Sequence, residues 1–218
     1  MSSEPMFNIQ ERVPLWLAGV FIAIFTITTY GPAVVRGLLY NAALLVPFDL
    51  DGVSVPRQLF SLVGHGFLHG SWTHVLVNSG MMVAFAVITM RGVRALRHDH
   101  GRGPNPNLVF ILIMLLGIIG GGLFQWGWWA FMNTAQAAAL GASGGGSALF
   151  ATAAWAMGGR TRLIQYGMGW ALLNLIFIVG ASILGPIAWP SHIGGFIVGA
   201  MLAPYWVKPF STGFSITR

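Results

Sequence analysis

The feature that most constrains this chain is a series of uncharged apolar runs, each close to the thickness of a bilayer. They fall at about 14–35, 71–90, 108–125, 143–158, 163–184 and 190–207. A crossing helix needs roughly 20 apolar residues, and in lipid only helices and closed barrels satisfy every backbone N–H and C=O internally. Runs of this length predict helices. The expected fold class is therefore all-α, a polytopic bundle of six transmembrane helices forming a single membrane domain over 1–218. The fourth run is short, because about 15 residues rise only about 22 Å. Either it fails to span or it begins inside the membrane, where the loop before it must be shielded by protein or line a water-filled cavity.

Charge is scarce and unevenly placed. Only 7% of residues are charged, against about 25% in a soluble domain. A net charge of +6 would suit a nucleic-acid partner, but its distribution favours topology instead. Segment 91–107 carries Arg91, Arg94, Arg97 and Arg102. The turn GGRTR adds Arg160 and Arg162, and the C-terminal region adds Lys208 and Arg218. With Arg12, these fall on one side of six spans, and only Arg36 and Arg57 fall on the other. The positive-inside rule then places both termini in the cytoplasm, and a bacterial inner (plasma) membrane is the expected location. No nucleic-acid partner is expected.

The opening MSSEPMFNIQER is polar and contains two acids. It lacks the basic start, short apolar core and small-residue cleavage site of a signal peptide, so the first run is expected to be a retained span. No cysteine is present, which excludes a disulfide framework, a Cys nucleophile and a thiolate metal site. The connection 36–70 is too apolar for a free loop, and short helices at the membrane interface are expected there. The segment FQWGWWAFMNTAQAAAL is expected to be a connection that holds Trp126, Trp128 and Trp129 at the headgroups.

Ionisable groups inside membrane helices are expensive, so each is a functional candidate. His74 and Asn78, in SWTHVLVNSGMM, lie four apart and share one helix face. His192 lies in WPSHIGGFIVG, and Ser143 opens the fourth run in GASGGGSALF. Runs two, four and six cross in the same direction, which brings these starts to similar depth. The set holds a nucleophile, a base and hydrogen-bond donors for a developing oxyanion, the parts acyl transfer requires. Ser143 in a first helical turn meets free backbone N–H groups, and His192 near a helix N-terminus is disfavoured as imidazolium. The acids Glu4, Glu11, Asp49, Asp51 and Asp99 lie outside the spans, so the chain allows a Ser-His dyad rather than a buried Ser-His-Asp triad. Bland readings exist for each feature alone. Gly-Ala-Ser-Gly serves close helix packing, as does the Gly195–Gly199 pair, while His74 and Asn78 serve as interhelical glue and a membrane His as a proton relay.

Together, HVLVN (His74, Asn78), GASG (Gly141–Gly144) and SHIGGFIVG (Ser191–Gly199) resemble the rhomboid intramembrane serine proteases over about 57–207. The resemblance implies that Ser143 is the nucleophile and His192 its base. It assigns the oxyanion hole to His74, Asn78 and the backbone N–H of Ser143. Gly195 and Gly199 would let the sixth span approach the fourth, with Gly141 and Gly144 also near the site, and His69 would lie near its opening. The implied partners are single-span transmembrane protein substrates and the lipid bilayer, with no metal and no cofactor. Two departures stand out. The Trp-Arg pair common before His69 is replaced by the separated Arg57 and Phe60. Ser147 stands where several bacterial members place a Tyr that stacks on the catalytic His, so Trp189 or a loop residue is expected to pack His192 instead. The alternatives are a catalytically inactive rhomboid-like protein that binds membrane helices, and a small proton-coupled transporter using His74 and His192. The second is disfavoured by the lack of any repeat of GASG or HVLVN.

Overall fold

The computed structural model describes residues 12–48, 50–100, 103–134, 137–179 and 187–210. The polar N-terminal segment with Glu4 and Glu11, Asp49, Arg102, residues 180–184 of the fifth run and Arg218 lie outside the described residues. Regular structure among them is helical: α1 (Arg12–Tyr30), α2 (Ala33–Ala43), α3 (Val55–Gly64), a 3₁₀ turn (His65–Phe67), α4 (Trp72–His100), α5 (Pro106–Phe131), α6 (Ser143–Ala156), α7 (Gly159–Val179) and α8 (Trp189–Trp206). Three of these, α1, α4 through Arg97, and α5, are long and apolar enough to cross a membrane by length and composition. Large apolar side chains point outward, among them Trp16, Leu116, Leu172, Leu175, Ile176 and Met201. So much exposed apolar surface is a liability in water and the ordinary exterior of a protein in lipid. The molecule is a helical membrane bundle.

Helix ends follow local chemistry. Pro32 removes a donor and pushes Gly31 away from helical geometry, so the first run ends at Tyr30 and α2 begins separately. Together with α3, α2 fills the apolar connection with two short helices, and Arg57 Nε donates to Asn41 O at 2.6 Å to tie them. Asn105 caps α5 by accepting from the Asn107 N–H at 2.9 Å, with Pro106 at the favoured first position. Two helices outrun their apolar stretches. α4 continues past residue 90 through Arg91, Arg94 and Arg97, since arginine is a good helix former and a helix need not stop at the membrane edge. α5 continues to Phe131, so Trp126, Trp128 and Trp129 lie in its last turns rather than in a connection. It stops where Asn133 adopts a left-handed φ of 51°.

The bundle is organised around α6, which α4, α5, α7 and α8 all contact. A helix surrounded on several sides needs small side chains, and SGGGSALFATAAWA supplies them. A methyl group at Gly195 would overlap the carbonyl of Gly144, and one at Gly199 the carbonyl of Ala148. On the other flank, methyls at Gly117 and Gly121 would sit 3.0 and 3.3 Å from the Gly144 oxygen and Cα. Thus α5, α6 and α8 meet nearly backbone to backbone. At the far end of α6 the chain is stitched shut. Trp155 Nε1 donates to Val207 O at 2.8 Å, the Phe210 N–H to Ala156 O at 2.8 Å, and the Lys208 N–H to Gly92 O at 3.1 Å.

These contacts separate glycines that cannot gain a methyl from those that can. Gly199→Ala is expected to lower stability by about 1–3 kcal/mol through overpacking. Gly146→Ala, whose methyl would meet nothing within 4 Å, is expected to stay within about 1 kcal/mol of the parent. Thermal unfolding of both purified variants in one detergent checks the contrast.

Candidate active site

Ser143 is the first residue of α6 and is half-buried. Ala142 precedes it as a cap that offers no side-chain acceptor, and the N–H groups of a first helical turn have no partner within the helix. Ser147 turns its hydroxyl back into the helix, donating to Ser143 O at 2.7 Å. The approach to Ser143 is held in place by backbone bonds. Ala139 and Leu45 exchange N–H···O bonds of 2.9 and 3.2 Å, and the Gly141 N–H donates to His65 O at 2.8 Å. Trp126 Nε1 donates to Val46 O at 2.8 Å.

Gly141 has φ +119°, a conformation closed to ordinary side chains. It is also crowded. A methyl there would lie 2.6 Å from His74 Nε2 and 3.5 Å from Asn78 Nδ2. The expected pair on α4 therefore reaches the residue two before Ser143. Asn78 is 6% exposed, and its Nδ2 has no hydrogen-bond partner among the described residues. A buried amide donor without a partner is costly in a core and useful where negative charge develops. His69 packs its ring edge-on against His74, centroids 5.1 Å apart, and meets Phe21 at a tilt of 49°.

His192 comes from the first turn of α8, just after Pro190, and is 9% exposed. The carbonyl of the preceding Ser191 lies against α5 and α6, 2.7 Å from a methyl placed on Gly121 and 3.4 Å from one on Gly144. The glycine contacts of α8 thus carry His192 to the start of α6. Its packing differs from the expectation. Trp189 turns away onto Trp128, centroids 4.7 Å apart. The aromatic neighbour of His192 is Trp170 of α7, at 6.1 Å and 41°. Asn174, one turn along α7, places Oδ1 2.7 Å from His192 Nδ1 and donates Nδ2 to Trp170 O at 2.8 Å.

Neither Trp170 nor Asn174 figured among the candidates read from the sequence. The available signal was Asn174 itself, a lone amide in the run ALLNLIF. Among the described residues, no three His, Cys, Asp or Glu side chains converge as metal ligands would.

The class defined by this arrangement is a helical membrane bundle with polar groups gathered at the start of a buried central helix. The Rhomboid domain matches residues 56–209, well over half of the chain. The chain belongs to the rhomboid family, which comprises intramembrane serine proteases together with inactive relatives. No curated protein matches it.

Gly141→Ala would strain the backbone and push His74 aside. It is expected to lower stability by about 1–3 kcal/mol, read as an earlier thermal unfolding transition in detergent.

Proposed function

We propose that this protein is an intramembrane serine endopeptidase that cleaves single-span membrane proteins within or near their transmembrane helix. The observation that carries the reading is the convergence of His74 and the unpartnered Asn78 Nδ2 on Gly141, immediately before the helix start that holds Ser143. Ser143 Oγ attacks the scissile carbonyl while His192 Nε2 takes its proton. Asn78 Nδ2, His74 and the Ser143 N–H donate to the oxyanion of the tetrahedral intermediate, each pre-placed in a low-dielectric setting. His192 returns the proton to the leaving amine, and water then releases the acyl chain by the same relay. Gly144, Gly195 and Gly199 hold the two helices close enough for the transfer, and Gly141 leaves room for His74.

No metal or cofactor takes part in this chemistry. The opening faces away from the arginine-rich side, with both termini in the cytoplasm of a bacterial cell. Membership of the rhomboid family supports the reaction class. The retention of both Ser143 and His192 favours an enzyme over an inactive helix-binding relative.

Cleavage of a generic single-span substrate in liposomes tests the proposal. Ser143→Ala and His192→Ala are each expected to abolish product. Asn78→Ala is expected to slow cleavage by up to about 10²–10³-fold, the usual loss for one oxyanion donor, and by less where the remaining donors compensate. Full cleavage by the Ser143→Ala protein would sink the reading. Binding of the substrate helix without cleavage would instead support the inactive relative.

A further inference from the structure

Asn174 makes two side-chain hydrogen bonds that together settle a proton. Its Nδ2 donates to Trp170 O at 2.8 Å, and that carbonyl can only accept. The amide is therefore oriented with Oδ1 toward His192. Reversing it would set Oδ1 against the Trp170 oxygen, acceptor on acceptor. Oδ1 in turn lies 2.7 Å from His192 Nδ1, and an acceptor there requires that Nδ1 carry the hydrogen. The neutral ring then has its lone pair on Nε2, the nitrogen a general base uses.

Burial strengthens the arrangement. Asn174 is 2% exposed while its neighbours Leu172, Leu175 and Ile176 face outward. It is thus buried where these neighbours on α7 present apolar side chains to the outside. An amide at this position is costly unless paired, and it is paired to His192. The Trp170 ring of the same helix lies beside the imidazole, tilted to it.

We propose that Asn174 is the positioning residue of His192, so that the site is a Ser143–His192–Asn174 relay with a neutral third member. This rests on the reading of Ser143 and His192 as nucleophile and base. Asn174 touches no reacting atom. It holds the ring in one tautomer and one orientation, and it stabilises the imidazolium formed when Ser143 is deprotonated, because Nδ1–H still donates to Oδ1. A neutral amide does this without placing a carboxylate in the membrane interior, where an ion is far more expensive. It also replaces what Ser147 cannot supply, since the Ser147 hydroxyl is spent on Ser143 O.

The test joins a spectrum to a rate. In ¹⁵N-histidine-labelled protein in liposomes, protonated and bare imidazole nitrogens resonate far apart, and a His192→Gln sample identifies the signals of His192. Wild type is expected to show protonated Nδ1 and bare Nε2. Asn174→Leu, similar in size but without an acceptor, is expected to give mixed tautomers. Its kcat should fall by about 10- to 100-fold, less than or at the low end of the about 10²–10⁴-fold that general acid–base catalysis contributes as a whole, with KM little changed. Asn174→Asp keeps an acceptor toward Nδ1 whether or not it is ionised, and is expected to restore most of the kcat and the single tautomer.

A wild-type ring protonated on Nε2 would overturn the proposal without any variant. So would an Asn174→Leu protein that lost thermal stability yet kept kcat, which would mark Asn174 as a simple helix-to-helix tie. Absence of Ser143-dependent cleavage in wild type, alongside the expected tautomer and its loss in Asn174→Leu, would remove the protease reading and leave the assignment of Asn174 standing.

Discussion

The structure depends on three helices approaching to backbone contact across their glycines. Lipid tails are as apolar as leucine, so nothing like the hydrophobic effect in water presses membrane helices together. Close packing must do it. Gly117 and Gly121 on α5, Gly144 on α6, and Gly195 and Gly199 on α8 remove the side chains that would hold these helices apart. The same closeness gives the polar side chains a common meeting point. Ser191 lies against Gly144 because α8 has no bulk facing α6, and His192 follows from Ser191. The glycines thus set both the packing of the helices and the place where these polar side chains meet.

Within that frame each buried polar group is either spent or held in reserve. Thr89 and Thr152 satisfy one another across α4 and α6 at 2.8 Å, and Thr152 also donates to Leu149 O. Ser147 is spent on its own helix, and Asn174 divides its amide between Trp170 and His192. Asn78 Nδ2, beside the start of α6, is among the buried atoms with no partner among the described residues, as are both His69 ring nitrogens and Ser191 Oγ. In an interior of low dielectric, an unspent donor is the natural place for a group that arrives with negative charge. A neutral amide behind His192 suits the same interior, since it orients the ring without adding an ion.

Much of this was legible in the sequence because periodicity and polarity are loud in a membrane protein. The apolar runs gave the helices, and the scarcity of polar residues made Ser143, His192, His74 and Asn78 stand out. Boundaries were harder. The arginines after Met90 read as the end of a helix, but α4 runs through them because charge marks the membrane edge and not the end of helical hydrogen bonding. The tryptophans after Gln125 read as a loop for a similar reason. Asn174 is less legible than Asn78, because Asn78 lies one helical turn from His74 whereas Asn174 stands alone in an apolar run. Nor does any spacing rule link residue 174 to residue 192, which lie on different helices. Gly117 and Gly121 were also passed over, because only the three-dimensional path of α5 shows that they face α6.

The stitching at the far end of α6 bears on how the cell tolerates such a protein. Below the start of α6 come Ala148, Leu149, Ala151, Ala153, Ala154 and Ala156, none of them more than 1% exposed, and then the closed seam made by Val207, Lys208 and Phe210. The polar side chains of α6 within this stretch, Ser147 and Thr152, are spent on Ser143 O and on Leu149 O and Thr89. Small, tightly packed apolar side chains thus lie beneath the start of α6, a poor path for ions. On the reading proposed above, a wet site at the start of α6 would exchange protons with one side alone, and the voltage and ion gradients across the bilayer would be kept.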